Sequence, residues 1–169
     1  MPMLQAQINR YPAQALTTAY HVEGGFEPVG PIPNFVNDKD RQFFQFLDVT
    51  ITPLTPGPMG AVTRSQIIVP KKDVVALYLD SSAARSSVQL LRRVERCIMY
   101  FPSFVCRAEF HLGEDTRWAD MLTLLPGDFF FVTSASIFPL NALPANFPQQ
   151  TDLLILNRLH VRVLHLDHP

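Results

Sequence analysis

The chain of 169 residues is 47% hydrophobic and 17% charged, a balance that excludes a disordered protein and suits one large domain or two small ones. Its net charge of −1 gives no global attraction to nucleic acid or anionic lipid, and so many apolar residues at so low a charge favour association over a freely soluble monomer. The two cysteines, Cys97 and Cys106, form no C-x-x-C pair, and the opening MPMLQAQINR has no charged segment followed by an apolar run. Apolar runs such as Phe129–Val132 and Ile98–Phe101 are far too short to span a bilayer. A cytoplasmic chain with reduced thiols is the expectation.

Residues 1–18 read as an N-terminal arm, short and helical or irregular, with Leu4, Ile8, Ala13 and Leu16 interrupted by Pro12. Residues 19–80 read as a first β repeat. Ala19–Val29 alternates and carries Gly24-Gly25, which suits a strand bent or bulged at glycine. Asn34–Asn37 is a short apolar run, and Asp38–Arg41 a charged turn. Phe43–Thr52 is a strand rich in aromatic and β-branched residues, and Pro53–Gly60 is a loop. Gln66–Val69 and Val74–Leu79 form a hairpin across Pro70–Asp73.

Residues 81–99 read as an amphipathic linker helix. Ser82 can cap it, Val88, Leu91, Val94 and Ile98 fall on one face, and Arg85, Arg92, Arg93 and Arg96 occupy much of the rest. Pro102 ends it. Residues 100–169 form a second β repeat: a strand over Ser103–Leu112, a turn at Gly113–Thr116, then Asp120–Thr123, a tight turn at Pro126–Asp128 and a long strand from Phe129. The repeat is visible in the residues. At an offset of 86, Phe43, Phe44, Ile51, Pro53, Leu54 and Pro58 fall on Phe129, Phe130, Ile137, Pro139, Leu140 and Pro144. At 87, Ile68, Val74, Leu77, Leu79 and Asp80 fall on Ile155, Val161, Leu164, Leu166 and Asp167. Phe26 matches Phe110 more loosely. The chain is a tandem duplication, and short strands with Gly/Pro turns point to a mainly β fold of two small closed barrels joined by the helix.

A glycine-bent strand, an apolar-Asn segment (Val36-Asn37), a long strand, a variable loop and the Ile67–Leu79 hairpin resemble, in each repeat, the order of Sm-like small barrels. The pattern departs from that family in three ways. No acidic residue stands at the usual distance before Asn, Lys71-Lys72 and Asn157-Arg158 replace the glycine of the second motif, and Thr123 stands where the second Asn belongs. Arg117, Asp120 and Leu122 form an R-x-x-D-x-L signature similar to that of small uncharacterised bacterial β domains. The resemblance implies a barrel framework and no activity.

Candidate chemistry is sparse. His160, His165 and His168 crowd the C-terminus beside Asp167, at spacings that match no known metal-ligand set. Cys97 sits among arginines that could lower its pKa, but its place next to Ile98 suits a packed thiol. There is no G-x-S-x-G, P-loop or dinucleotide fingerprint. No catalytic residue, metal ligand or cofactor is expected. The arginines Arg85, Arg92, Arg93 and Arg96 form a basic stripe that could meet phosphates or a partner. The expected function is a non-enzymatic structural or protein-interaction module, a homo-oligomer or part of a larger assembly. The alternative is a nucleic-acid-binding module that uses the arginine stripe.

Overall fold

The computed structural model describes residues 8–144 and 146–168. Their backbone is mainly β. The first half contains β1 (Tyr11–Thr17), β2 (Tyr20–Phe26), α1 (Ile32–Val36), β3 (Phe43–Pro53), β4 (Val62–Pro70) and β5 (Val74–Leu79). The second contains, after α2 (Ser82–Ser86), β6 (Arg93–Tyr100), β7 (Phe104–Leu112), β8 (Phe129–Pro139), β9 (Gln150–Asn157) and β10 (Val163–Leu166). All ten strands belong to one antiparallel open sheet in the order β10-β6-β7-β8-β9-β5-β1-β2-β3-β4. No helix among the described residues is long and apolar enough to cross a membrane.

The duplication is a duplication of backbone geometry. The register shifts between Glu23 and Gly25 in β2, and between Arg107 and Glu109 in β7. Each bulge is matched by a left-handed residue on the next strand, Asp48 at φ 50° and Ser134 at φ 49°. A β-carbon at Gly24 would lie 2.8 Å from the Leu47 carbonyl oxygen, so the first bulge needs glycine. Tie bonds also recur: Asp80 N–H donates to Pro12 O (2.7 Å) and Asp167 N–H to Arg96 O (2.9 Å). Likewise Leu54 N–H donates to Ala19 O and Leu140 N–H to Ser103 O, both at 2.9 Å. These bonds put the first two strands of each half at an offset of 84, as the Phe26–Phe110 match implied.

Four expectations give way. The arm over 1–18 is, from Tyr11, a central strand. Ala13, Ala15 and Leu16 are buried between β5 and β2, where small side chains fit, and Pro12 needs only its carbonyl. Residues 1–7 of the arm lie outside the described residues. The hairpin over Gln66–Leu79 is two strands that never pair. β4 binds β3, while a single turn at Lys71–Asp73 carries the chain across to β5, which binds β1 and β9.

The linker helix over 81–99 is a single five-residue segment, α2, capped by Ser81, whose hydroxyl accepts from Ala84 N–H. A helix so short holds only by packing, and the serines Ser86 and Ser87 turn their hydroxyls back onto Ser82 and Ala84 carbonyls. From Arg93 the side chains alternate instead, Cys97 and Met99 facing the core, and β6 pairs with β7 and β10. Finally, the halves are joined edge to edge through β5 and β9 rather than by a helix.

The core forms two clusters, one per half, and each borrows from the other. Phe129 and Ile155 of the second half pack with Phe26, Phe35, Phe44 and Leu77 of the first. Leu16, Val75 and Ala76 of the first half pack with Met99, Phe104, Ile137 and Leu156 of the second. This exchange explains the burial on β8, where Phe129 and Phe130 are both buried although they point to opposite faces.

Candidate functional site

The four arginines of the expected stripe do not converge. Arg85, on α2, donates from Nε to Asp152 Oδ1 (2.6 Å) and from Nη1 to Leu79 O (2.8 Å), with its guanidinium over the Tyr78 ring. It clasps the first half to β9 of the second. Arg93 Nη1 donates to the carbonyls of Glu114 (3.1 Å) and Thr116 (2.6 Å), and Nη2 to Glu95, so it closes the loop after β7. Arg96 faces Glu109 across the β6–β7 ladder at 3.8 Å. Arg92 stands in the exposed bend before β6. Three of the four charges are engaged within the fold, on different faces, because the helix that would have aligned them does not form.

Burial pushes both thiols, Cys97 and Cys106, up to about 12, since an apolar site penalises the thiolate; Asp167 and Glu95 add to the effect at Cys97. These are packed thiols. His160 is buried with Nε2 2.7 Å from Lys72 O, and His165 lies 3.2 Å from the Tyr100 hydroxyl. Asp167 binds Arg107 rather than a histidine. Among the described residues no group of three or more His, Cys, Asp or Glu side chains could hold a metal ion.

Sequence reasoning missed one cluster. His111 Nδ1 donates to Leu91 O (2.8 Å), which leaves Nε2 to accept from the Thr133 hydroxyl (2.7 Å), and Glu109 Oε2 lies 3.3 Å from both Thr133 and Ser134 hydroxyls. A hydroxyl, a base and an orienting group in sequence have the outline of an activated nucleophile. The first half shows what this place is for. There Arg10 ties Glu27 to Asp48 (2.9 and 3.0 Å), and Glu27 and Asp48 stand where His111 and Ser134 stand in the second half. Both networks pin the same bulge, with different chemistry. No sequence signal marks the pairing, because its members lie on β7, on β8 and in the segment before β6 and meet only when those strands pair.

The junction between the halves is the most elaborate site in the molecule. β5 and β9 pair antiparallel with Ala76 opposite Leu156 and Leu77 opposite Ile155. Around them, fully buried Asn157 donates from Nδ2 to Val74 O (2.8 Å) and Lys71 O (3.3 Å), and accepts from Leu159 N–H (3.0 Å). Asn37 makes a two-way amide pair with Phe129, accepting from its N–H (2.9 Å) and donating to its carbonyl (3.0 Å). A β-carbon at Gly127 would collide with the Asn37 side chain, so glycine there lets the clasp close. Gln14 donates to Asn146 O (3.0 Å) and accepts from His21 Nε2 (2.8 Å), and burial holds His21 below its ordinary pKa.

At the two ends of the sheet, β4 and β10 each have, among the described residues, one neighbour and one open edge. Ile68 on β4 and Val163 on β10 are exposed, as is Phe43 on the adjacent β3. A groove of about 420 Å3 runs beside β4, lined by Tyr20, Val22, Ile51, Ile67, Val69 and Asp73 among others. No family model, curated protein or solved structure matches the chain. The geometry alone therefore carries the functional reading. Its open apolar features are the two strand edges and the groove beside β4, none of which the residue pattern had singled out.

Proposed function

We propose that the chain is a non-enzymatic structural module that works by joining other protein at its sheet edges, its own copies first. The observation that carries this reading is that, among the described residues, each outermost strand is paired on one side only and presents an exposed apolar side chain, Ile68 on β4 and Val163 on β10. An open edge offers a row of backbone donors and acceptors that templates a further strand, and natural edges are usually blunted by charge or covered. Here β4 runs for nine residues and carries Ile67, Ile68 and Val69 just before its last residue, Pro70. The low net charge adds no repulsion between copies.

The buried, unreactive thiols and the use of both polar bulge networks as strand ties support a role without catalysis. Each half having a core cluster of its own supports the finer reading of two small-barrel repeats. The nucleic-acid alternative through Arg85, Arg92, Arg93 and Arg96 draws less support, since three of these side chains are engaged internally. Size-exclusion chromatography with light scattering tests the proposal. A mass that is a multiple of 19.1 kDa is expected, and a particle that stays at 19.1 kDa up to the highest soluble concentration overturns it.

A further inference from the structure

The chain contains one worked example of how its repeats join, and the same surfaces stand open at its ends. Within the chain, the edge strand β9 of the second half pairs with the edge strand β5 of the first. By the internal duplication β4 is the counterpart of β9, and β10 the counterpart of β5. The residues that make the internal junction have exposed counterparts. Phe129 is 2% exposed and its counterpart Phe43 is 52%; Ile155 is 1% and Ile68 is 64%; Ala76 is 0% and Val163 is 54%. In each pair the strand, the register and the apolar character are the same, and only the cover is missing.

The groove beside β4 repeats the point. Its lining residues Tyr20, Val22, Ile51, Ile67 and Val69 correspond to Phe104, Cys106, Ile137, Leu154 and Leu156, which in the second half pack around Leu16, Val75 and Ala76 of the first. The counterparts of those three filling residues are Tyr100, Arg162 and Val163, at the β10 edge. The groove and its filler thus lie at opposite ends of one sheet, so the same chain cannot bring them together along that sheet.

We infer that a second copy of this chain fills the groove: β4 of one copy pairs antiparallel with β10 of the next, head to tail, repeating the internal β9–β5 junction. This rests on the self-association proposed above and names its mode. The register follows from the internal one, with Val163 opposite Val69 and Leu164 opposite Ile68. Charge supports the match. Arg162 stands where the internal junction has Val75, and Asp73, which lines the groove, stands where it has His160. Among the described residues neither Arg162 nor Asp73 has an ion-pair partner within its own chain. The internal clasp of Asn157 is not repeated, because its counterpart is Pro70, which has no side-chain donor. The join between copies is therefore the looser of the two, and it is heterologous, so it builds a closed ring or a filament rather than a two-fold dimer.

The test uses the full chain and two single variants, Ile68→Asp on β4 and Val163→Asp on β10, both at exposed positions. Far-UV circular dichroism should match the wild type for each. In light scattering each variant alone should fall to 19.1 kDa, and an equimolar mixture should rise to twice that mass. The mixture recovers one junction only, from the intact β4 of one variant and the intact β10 of the other. If the wild type associates but either variant keeps its mass, or the mixture stays monomeric, the head-to-tail mode is wrong while self-association stands. If the wild type is itself monomeric, both fall.

Discussion

Phe129 and Phe43 are the same residue at the same place in two copies of one strand, and truncating them should have very different consequences. Phe129 is buried in the core cluster of the opposite half, with its ring 5.5 Å from that of Phe44. Phe129→Ala leaves a cavity there and should cost about 3–5 kcal/mol, the usual range for a core phenylalanine. Phe43 is half exposed and leaves no enclosed cavity. Losing about half of a full side-chain transfer energy, roughly 1 kcal/mol, is the expected cost of Phe43→Ala. Both should be made in a Val163→Asp background, which removes one joining edge and keeps association out of the measurement. Urea unfolding followed by tryptophan fluorescence reads the difference, and melting temperature gives a second readout. For a chain of this size each kcal/mol shifts the melting point by about 2–4 °C, so Phe129→Ala should melt roughly 10 °C lower and Phe43→Ala only a few degrees lower. Equal losses would refute the idea that the halves exchange core residues across the β5–β9 junction.

Three further outcomes follow from the same geometry. Asn157→Ala should cost about 2–3 kcal/mol in urea unfolding, because it strands the Val74 carbonyl in a buried site and removes the acceptor of the Leu159 N–H; a loss under about 0.5 kcal/mol would show that the clasp does not hold the halves together. Burial holds His21 below its ordinary value of 6.5, so its neutral form is the one the fold accepts. Above that value both states are neutral and the full stability is present. As pH falls through it, the unfolded chain takes up a proton that the fold refuses, and stability declines; His21→Gln should flatten that part of the pH–stability curve. Cys97 and Cys106, buried and pushed up to about 12, should resist an aromatic disulfide reagent at neutral pH in the native state and react fully in denaturant, and fast native labelling would contradict their packing.

Much of the β content was legible because it is local. The alternation in Phe43–Pro53, the glycine bulge and the Gly/Pro turns each follow from residues near one another, and the structure places Phe44 and Phe46 inward and Gln45 outward as period two requires. The linker helix failed for a physical reason. Val88, Leu91, Val94 and Ile98 fit a helical stripe, but Cys97 and Met99 fit a strand equally well, and pairing with two neighbouring strands outweighs a weakly helical sequence. The arginine stripe fell with it. Arg85, Arg93 and Arg96 became a junction clasp, a loop tie and a cross-strand pair.

Strand partnership was the least legible feature. Gln66–Val69 and Val74–Leu79 sit four residues apart and read as a hairpin, yet Lys71–Asp73 carries the chain from the edge strand β4 to the interior strand β5, because β1 and β9 offer β5 a partner on each side. The copies themselves carried one clue that only the fold makes readable. Pairs such as Phe43/Phe129 and Ile68/Ile155 are identical in sequence, so nothing in the residues says that one member is covered and the other open. By itself the sequence determined a duplicated strand framework, its bulges and its apolar alternation, since these depend on side-chain period and backbone sterics within each copy. Only the tertiary structure decided which edges meet. Strand pairing uses backbone groups that every residue shares, and selection among edges comes from side chains brought together across the whole chain.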